Sequence, residues 1–467
     1  MRVAGLAAAL LFALSPAIGL AQRAPDKASP TNEPSAGEAA ASQVPLEEIR
    51  RFVAVYNAVR AAYVEPVDDK QLMQSAVRGL LLDLDPHSTY FDKEDAEAFD
   101  EQASGAYEGI GVELLQQDGV LKVVAPIDDT PAARAGLRSG DFIVAIDGKP
   151  ISAIEAMEPL RGPAGSQVVL SIERGEEKPF DVTVTRETIR VTSVRGKLLE
   201  PGYAYLRIST FQADTGTDFQ KQLAQLQAQA GGKLKGLVLD VRSNPGGLLT
   251  AAVQVADDLL DKGVIVTTRG RIAVSDARFE ATPGDLMKGA PVVVLADAGS
   301  ASASEVLAGA LRDNGRARIV GSRSFGKGSV QTVLPLDNGD SVKLTTARYY
   351  TPSGKSIQAT GIVPDVELTP DPASKATPAS VADYSEAGLP GHLQGDDEAA
   401  DAAVGQVLPG DAPVQSALRE LKHPGSVAAV PAKVTPNPPA AKTNANPPQA
   451  TPPTKTVTPA TTGDDGN

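Results

Sequence analysis

Cysteine is absent from the 467-residue sequence, and histidine is nearly so, with only His87, His392 and His423. The lack of cysteine excludes disulfides, thiol catalysis and cysteine-ligated zinc. The shortage of histidine argues against a multi-histidine metal site. A Ser-His-Asp hydrolase would have to use His87, because the other two histidines lie in a predicted disordered tail. A hydrolase of this sequence therefore needs another base, and we expect no metal and no other cofactor.

Positive charge and long apolar runs are also scarce. The chain has 44 Lys and Arg against 58 Asp and Glu, which gives a net charge of −14. This charge argues against nucleic acid or an anionic membrane surface as the main partner. A hydrophobic content of 42% fits a soluble globular protein with some non-globular sequence attached. The length predicts roughly two to four domains.

The N-terminus is typical of a secretory signal peptide. Met1-Arg2 precedes an apolar run over 3–14, and small residues follow up to Ala21. The run is too short for a membrane span of ~20 residues, although a short buried helix and a retained anchor are the alternatives. We expect a signal peptide over 1–21, a disordered linker over 22–45, and a periplasmic or cell-envelope protein that is soluble or loosely membrane-associated.

The pattern of apolar residues then changes along the chain. Residues 46–105 show helical spacing, interrupted at Asp85-Pro86-His87-Ser88. Residues 106–188 predict a small β-rich module, with strands over 120–124 and 142–146, a short helix over 131–136 and a hairpin signal at Asp147-Gly148.

Residues 189–368 alternate strands and helices, which predicts an α/β layer fold with sites at strand-to-helix turns. The predicted strands cover 204–208, 236–240, 264–268 and 291–295, and the predicted helices cover 219–229, 249–260 and 304–312. Residues 369–467 are rich in Pro, Ala, Thr and Asp, and we expect them to be disordered. Val414–Leu421 is the one stretch for which we leave order open.

The first of three segments suited to chemistry is Gly299–Glu305. It follows a predicted strand and begins a predicted helix. Small residues allow a nucleophile to stand at a crowded turn, and a helix N-terminus supplies amide donors for an oxyanion. Ser302-x-x-Glu305 is equally a helix capping box, and from this segment alone that interpretation is favoured.

The second segment, Asp240–Gly247, also follows a predicted buried strand, and its paired glycines allow backbone N–H groups to approach a ligand closely. An ordinary strand-to-helix turn explains it as well. The third segment is Phe325–Ser329. Gly321 and Lys327 almost complete a phosphate-binding loop, but Gly328 stands where the magnesium-binding hydroxyl belongs and an extended segment follows. We therefore reject that interpretation.

Lys327 lies between two glycines, so it can approach another backbone closely, where desolvation lowers a lysine pKa toward neutrality. A solvated loop lysine is the ordinary alternative. Since histidine is scarce, lysine is the obvious candidate for a base, and a Ser–Lys dyad is a known variant of triad chemistry.

Four motifs in this order resemble those of the C-terminal processing peptidases, also called tail-specific proteases. The resemblance covers about 46–368 and implies an α/β, ClpP/crotonase-like serine peptidase core with an inserted PDZ domain and an N-terminal helical region. The motifs are Tyr107–Val112, Asp240–Gly247, Ser300–Glu305 and Phe325–Gln331.

The resemblance assigns roles to individual residues. Ser302 is expected to be the nucleophile, Lys327 the base and Gln331 the residue that orients the lysine. The amides of Ala303 and of the Gly246-Gly247 pair are expected to form the oxyanion hole. On a straight strand at ~3.3 Å per residue, Lys327 and Gln331 would lie roughly 13 Å apart. A contact between them therefore requires a tight turn or a helical turn before the segment becomes extended.

In the PDZ-like module, the resemblance makes Gly109-Ile110-Gly111-Val112 the loop that binds a substrate's C-terminal carboxylate. The implied function is a serine endopeptidase that cleaves exported proteins near their C-terminus, with free-C-terminal peptides as partners and an adaptor or activator as a further partner. His87 is expected to have a structural role, capping its turn. The N-terminal helices predict either a homodimer, as in some relatives, or packing within one chain.

Two functions from other classes are weighed against the peptidase. A non-catalytic envelope scaffold would use only the PDZ-like module, and it is disfavoured because Ser302, Lys327 and Gln331 are all present. A P-loop nucleotide hydrolase requires a hydroxyl directly after Lys327, and Gly328 excludes it.

Overall fold

The structure is a computed structural model that describes residues 45–117, 120–151, 158–175, 177–369, 385–398 and 404–426. The predicted signal peptide and almost all of the predicted linker lie outside these residues, as do 370–384, 399–403 and 427–467 of the predicted tail. The chain divides into two compact units, Met1–Ala76 and Val77–Asn467. Among the described residues, none of the helices is both long enough and apolar enough to span a bilayer.

Eight helices are present among the described residues. They are α1 (Leu46–Ala62), α2 (Asp69–Leu82), α3 (Lys93–Ser104), α4 (Pro131–Arg134), α5 (Thr215–Gln229), α6 (Leu249–Asp257), α7 (Ala303–Asp313) and α8 (Ala412–Lys422). Short 3₁₀ turns occur at Glu158–Leu160, Ala273–Ser275 and Glu386–Gly388.

The strands begin in the helical region and continue to the end of the core. They are β1 (Thr89–Phe91), β2 (Ala106–Gly109), β3 (Val112–Gln117), β4 (Val120–Pro126), β5 (Phe142–Ile146), β6 (Lys149–Pro150), β7 (Gln167–Glu173), β8 (Phe180–Thr185), β9 (Glu187–Arg190), β10 (Val194–Glu200), β11 (Tyr203–Ile208), β12 (Gly236–Asp240), β13 (Val264–Gly270), β14 (Ala277–Glu280), β15 (Val292–Ala296), β16 (Ala317–Gly321), β17 (Ser329–Pro335), β18 (Ser341–Tyr350) and β19 (Val366–Glu367).

Helix α1 buries none of its residues, and its apolar side chains, such as Phe52 and Val55, are exposed. Acidic residues in its first turn and Arg60 in its last turn complement the helix dipole. The exposed apolar residues are compatible with the predicted dimer, which stays a prediction.

The predicted helical region over 46–105 is confirmed, except that it contains the unpredicted strand β1. Asp85-Pro86 ends the helical pattern, and Thr89-Tyr90-Phe91 is β-branched and aromatic, which favours a strand. β1 pairs antiparallel with β18. Helix α3 is capped by Asp92, which accepts a hydrogen bond from the Asp95 N–H, and it ends at left-handed Gly105.

The β-rich module is an antiparallel sheet in the order β3-β4-β5-β7-β8, with β6 paired to β5. The hairpin signal is confirmed, because Asp147 and Gly148 both have positive φ and join Ile146 to Lys149 in a two-residue turn. Strand β3 pairs only with β4 among the described residues, so it forms an edge of the sheet.

The core contains a six-stranded sheet in the order β10-β11-β12-β15-β16-β19, parallel except for β10. Strands β12 and β15 are buried at every position, as expected of parallel strands that are covered on both faces. Helices α5, α6 and α7 cover one face, and α8 covers the other. The predicted α/β core is confirmed, and its likeness to ClpP or crotonase stays a prediction.

A second, antiparallel sheet has the order β1-β18-β13-β14, with β17 also paired to β18. Strand β17 begins two residues after Lys327, so the predicted extended segment is confirmed. Its pairing register shifts between Val330 and Gln331. The shift lies in the segment that would have to depart from a straight strand if Lys327 and Gln331 were in contact.

The predicted tail differs from expectation over 385–398 and 404–426, which are ordered. Helix α8 covers the stretch for which order was left open, and it buries Val414, Leu418 and Leu421 against the second face of the parallel sheet. The apolar residues of β12 and β15 that point to this face require a cover. Few but well-spaced apolar residues in α8 are sufficient to supply it.

Candidate active site

Ser302 lies at the turn between β15 and α7, where it is the N-cap residue of the helix. Its backbone has φ 54° and ψ −114°, a conformation rare for a residue with a side chain. Such backbone strain costs roughly 1–3 kcal/mol and is characteristic of functional turns. The residue is only 8% exposed. The structure thus presents the predicted nucleophile at a strained turn beside a helix N-terminus.

The buried carboxylate of Glu305 joins the serine turn to the lysine loop. Its Oε2 accepts hydrogen bonds from the backbone N–H of Ser302 at 2.7 Å and from that of Lys327 at 2.9 Å. Its Oε1 accepts from the Gly326 N–H at 2.7 Å and from the Ser324 hydroxyl at 2.5 Å. The backbone nitrogens of Ser302 and Lys327 can therefore lie no further apart than the sum of their two distances to Glu305 Oε2.

Burial raises the pKa of Glu305 to about 7, against the opposing effect of its four hydrogen-bond donors. The Glu305 side chain also accepts from the Ser302 N–H, which is the glutamate half of the capping box at Ser302-x-x-Glu305. The sequence did not reveal that the same glutamate also holds Gly326 and Lys327.

Lys327 is partly buried, and this desolvation lowers the pKa of its amine. The positive charge of Lys343 lowers the pKa further, whereas the carboxylates of Glu386, Glu305 and Asp85 raise it. A lowered lysine pKa increases the fraction of neutral amine that can accept a proton. No hydrogen bond links Lys327 to Ser302 or Gln331 among the described residues.

Tyr349 on β18 contacts both the serine and the lysine loop. Its side chain hydrogen-bonds Ser302, and burial raises the pKa of its hydroxyl to about 12. Its backbone N–H donates to Gly328 O at 2.8 Å. The tyrosine therefore stays protonated at neutral pH beside the nucleophile, and sequence analysis did not identify it.

The glycine pair lies against the serine turn, but its two amides differ. The Gly246 N–H donates to Asn244 Oδ1 at 2.9 Å, whereas the Gly247 N–H has no partner among the described residues. The Ala303 N–H likewise has no partner in the part of the chain that the structure describes, as expected for the first turn of a helix. Ala303 and Gly247 therefore supply the two amides that remain available to an oxyanion.

Gly246 itself is needed for space rather than for its amide. A Cβ at this position would lie 2.8 Å from Ser302 Cβ and 3.1 Å from Ala303 N, and its φ is +105°. Because the new Cβ would displace the Ala303 amide, we expect Gly246→Ala to lower kcat/KM for peptide hydrolysis by roughly 10²–10³-fold, the range seen when one oxyanion-hole donor is lost.

The matched control for this variant is Gly232→Ala. Gly232 has nearly the same φ, +102°, but a Cβ there would meet nothing within 4 Å. Both variants carry the backbone strain, and only the first crowds the serine. Equal kcat/KM values for the two variants would show that Gly246 has no special relation to the site.

The Gln331 side chain has no described hydrogen bond to Lys327, so its role in orienting the lysine stays a prediction. Its Nε2 donates to Ser329 Oγ at 2.9 Å and to Thr345 Oγ1 at 3.2 Å. Thr345 in turn donates to Asp85 Oδ1 at 3.1 Å. The structure therefore connects Gln331 to the Asp85–Ser88 turn.

The predicted capping of this turn by His87 is wrong. Asp85 caps it, because its Oδ1 accepts from the N–H groups of His87 and Ser88, both at 2.9 Å. An aspartate at the first position of the turn reaches these amides, whereas the His87 ring contacts Glu386, with its Nε2 2.8 Å from Glu386 Oε2.

The loop predicted to bind a carboxylate joins β2 to the edge strand β3. The carbonyls of Ile110 and Gly111 accept backbone hydrogen bonds from Ala132 and Ile127, at 2.8 and 3.0 Å. The N–H groups of Ile110 and Gly111 have no partner among the described residues, while the Ile110 side chain is buried. Gly109 ends β2 and Val112 begins β3. Within the described ranges, the loop thus presents amides without a partner beside a strand edge without a neighbour.

Family models match three parts of the chain. The model of peptidase family S41 matches residues 202–368, that of the PDZ domain matches 122–174, and that of the activating protease CtpB N-terminal domain matches 6–95. The first two matches fall inside the predicted core and the predicted PDZ module. The third overlaps both the predicted signal peptide and the helical region.

Two curated relatives are similar over most of the chain. The carboxy-terminal-processing protease of Bartonella bacilliformis is 45% identical over 357 residues, which are 75% of this chain and 82% of the relative. Carboxy-terminal processing protease CtpA of Bacillus subtilis is 33% identical over 318 residues, 67% of each chain. A solved photosystem II D1 C-terminal processing protease is 32% identical, with a TM-score of 0.41 over 70% of this chain and 94% of that chain.

Proposed function

We propose, on the premise that the chain belongs to the carboxy-terminal processing proteases, that Ser302 and Lys327 form its catalytic dyad. These proteases are serine endopeptidases of family S41. The observation that carries the proposal is the shared carboxylate oxygen of Glu305, which binds the backbone amides of both residues. The flexible four-carbon stem of lysine spans a separation of this size. Its amine can therefore reach the serine hydroxyl.

The mechanism assigns each group one task. The neutral amine of Lys327 accepts the Ser302 hydroxyl proton as the serine oxygen attacks the peptide carbonyl. The N–H groups of Ala303 and Gly247 stabilise the negative oxygen of the tetrahedral intermediate. The protonated lysine then gives its proton to the leaving amine. A water molecule, deprotonated by the same lysine, releases the acyl group.

The test of the dyad is turnover of an unstructured peptide with a free apolar C-terminus. Wild-type protein is expected to cleave it, and variants at Ser302 or Lys327 are expected not to do so. Undiminished turnover in either variant contradicts the proposal. Gln331 is proposed to orient the lysine. Its bond to Thr345, which donates to Asp85, supports this role, because the Asp85 carboxylate acts on the Lys327 amine.

Substrate selection is proposed to occur at the PDZ domain. A peptide would pair with the open edge of β3, and its terminal carboxylate would accept hydrogen bonds from the amides of the Gly109–Val112 loop. The unpaired N–H groups of Ile110 and Gly111 support this proposal. Binding of the C-terminus then delivers the preceding chain to Ser302.

Amidation of the substrate's C-terminus is expected to raise KM by roughly 10–100-fold and to leave kcat almost unchanged. Hydrogen bonds to a charged group contribute about 1.5–3 kcal/mol, and each 1.4 kcal/mol is a tenfold change in affinity. The measurement compares steady-state cleavage of the acid and amide forms of one peptide. Equal KM values contradict carboxylate recognition.

Two glycine variants provide the residue-level control for the amidation experiment. In Gly111→Ala the new Cβ would lie 2.4 Å from Thr130 Cβ, and the preference for the acid should disappear. Gly136→Ala has a similar positive φ but meets nothing within 4 Å, so it should keep the preference.

We also propose that the mature protein acts in the periplasm or cell envelope after cleavage near Ala21. The basic start, short apolar run and small residues of the N-terminus support this location. An adaptor or activator is proposed as a partner, on the basis of the match of residues 6–95 to the N-terminal domain of an activating protease.

A further inference from the structure

Glu386 is a buried carboxylate that the mechanism above does not use. It is 1% exposed and lies in the segment 385–398, beyond the end of the peptidase family match at 368. Its Oε2 lies 2.8 Å from His87 Nε2, and its Oε1 accepts from Gln358 Nε2 at 2.9 Å. Such a group costs free energy to bury unless its partners compensate, so these contacts require an explanation.

Both routes from Glu386 lead to the loop that carries Lys327. Its backbone N–H donates to Phe325 O at 2.9 Å. Its carboxylate orients Gln358, whose Oε1 accepts from the Gly328 N–H at 3.0 Å. Phe325 and Gly328 lie on either side of Lys327. The C-terminal segment therefore fixes the loop before and after the lysine.

We propose that Glu386 is a positioning residue for Lys327, which ties the 325–328 loop to the His87 turn and places a negative charge near the lysine amine. The proposal deepens, and rests on, the assignment of Lys327 as the base. It gives a role to His87, which is separated from Glu386 by 299 positions in the sequence and whose Nε2 lies within hydrogen-bond distance of both carboxylate oxygens.

Residues 404–410, also in the C-terminal part of the chain, bind the other loops of the site. These bonds support the view that the C-terminal part belongs to the active-site structure. Asp297 Oδ2, beside the serine turn, accepts from the Leu408 N–H at 3.0 Å. Ser322 Oγ accepts from the Gln406 N–H at 2.7 Å. Arg242, in the turn that leads to the glycine pair, donates to Gly410 O at 3.0 Å. The segment thus contacts all three loops of the site.

The charge of Glu386 gives the proposal a readout that a purely structural role lacks. Four charged groups act on the Lys327 amine, namely Lys343 from β18, Glu305 from α7, Asp85 from the turn and Glu386. Glu386 itself faces His87 and also acts on His392. Because its negative charge raises the pKa of Lys327, its removal lowers that pKa. The acid limb of the profile of kcat/KM against pH, where activity rises as Lys327 loses its proton, must then move to lower pH.

The experiment compares full-length wild type with Glu386→Gln in peptide hydrolysis across pH. We expect kcat to fall about 10–100-fold, since a displacement of 1 Å in a catalytic group can cost 10²-fold. KM should be unchanged, and the acid limb should lie at lower pH than in wild type. A wild-type kcat, or a reduced kcat with an unmoved limb, overturns the proposal.

Glu420→Gln is the matched control. Glu420 is another buried carboxylate of the C-terminal segment, and it pairs with Arg318 on β16, on the far side of the sheet from α7. Its described partners are Arg318 and the Gly425 N–H, which both lie outside the lysine loop. The control should therefore lose stability without a change in the pH limb. A limb shift equal to that of Glu386→Gln overturns the proposal.

Gln358→Met separates position from charge and carries the test if Glu386→Gln does not fold. It removes the link to the Gly328 N–H and leaves the glutamate in place, so kcat should fall while the limb stays at the wild-type pH. An unchanged kcat overturns the proposal. Lys327→Met is assayed in parallel. If it retains full turnover, the dyad itself fails, whereas full turnover confined to the Glu386 and Gln358 variants refutes only this inference.

Discussion

Replacement of Ser302 by alanine is expected to lower kcat for peptide hydrolysis by roughly 10⁶-fold, the loss found when the nucleophile of a serine protease is removed. The hydroxyl is the atom that forms the acyl-enzyme, and no other group at the turn can replace it. Peptide binding should persist, because the PDZ loop and the β3 edge are untouched. The measurement is single-turnover cleavage together with the affinity for the same peptide.

Ser304→Ala is the control for Ser302→Ala. Ser304 lies two residues further along the same turn, and its hydroxyl donates to Asn244 O at 3.0 Å. Loss of that bond costs about 1 kcal/mol of stability and leaves the chemistry in place, so turnover should stay within about tenfold of wild type. If the two variants are equally impaired, or if Ser302→Ala still cleaves at the Ser304→Ala rate, Ser302 is not the nucleophile.

The strands and helices of the core were predictable because their signals are local. Five consecutive buried residues in β12 and in β15 form continuous apolar runs, and glycine or proline marks several of the adjoining turns. The same runs also imply a cover on the second face of the sheet. The sequence did not show that α8 supplies it, because a short helix flanked by Pro-rich segments has the composition of a tail.

The site was predictable as a set of residue types and motifs, but not as a network. Ser302 and Glu305 are three residues apart, so their capping relation is visible in the sequence. The bond between Glu305 and Lys327 spans 22 positions, and that between His87 and Glu386 spans 299. Such pairs depend on how β15, the lysine loop and the C-terminal segment come together in three dimensions. No local pattern encodes that arrangement.

The Gly246-Gly247 pair is a local case in which the sequence alone did not predict a contact. Their sequence permits either amide to face an oxyanion, because both residues can adopt positive φ. Asn244, two residues before the pair, decides between them by accepting the Gly246 N–H. An asparagine before a Pro-Gly turn is a sequence signal that could have suggested this choice, since its side chain commonly binds a backbone N–H two residues on.

Lys327→Met is expected to lower kcat/KM by roughly 10²–10⁴-fold, the usual contribution of a general base. Methionine keeps the apolar stem and removes the amine, so the loop can retain its shape. Lys327→Arg should not restore activity, because a guanidinium stays protonated and cannot accept the serine proton. The measurement is kcat/KM as a function of pH for wild type and both variants. High activity in Lys327→Arg contradicts the role of a neutral amine.

The pH dependence of the wild type follows from the same base. Only neutral Lys327 accepts a proton, so activity rises as pH increases through its pKa, which burial and the charge of Lys343 hold below the ordinary value of 10.5. Lys343→Met is the matched control. It keeps the base, removes the repelling charge, and should move the acid limb to higher pH without lowering the plateau. Since Glu386→Gln should move the limb the opposite way, shifts of the same sign in these two variants would contradict Lys327 as the titrating group.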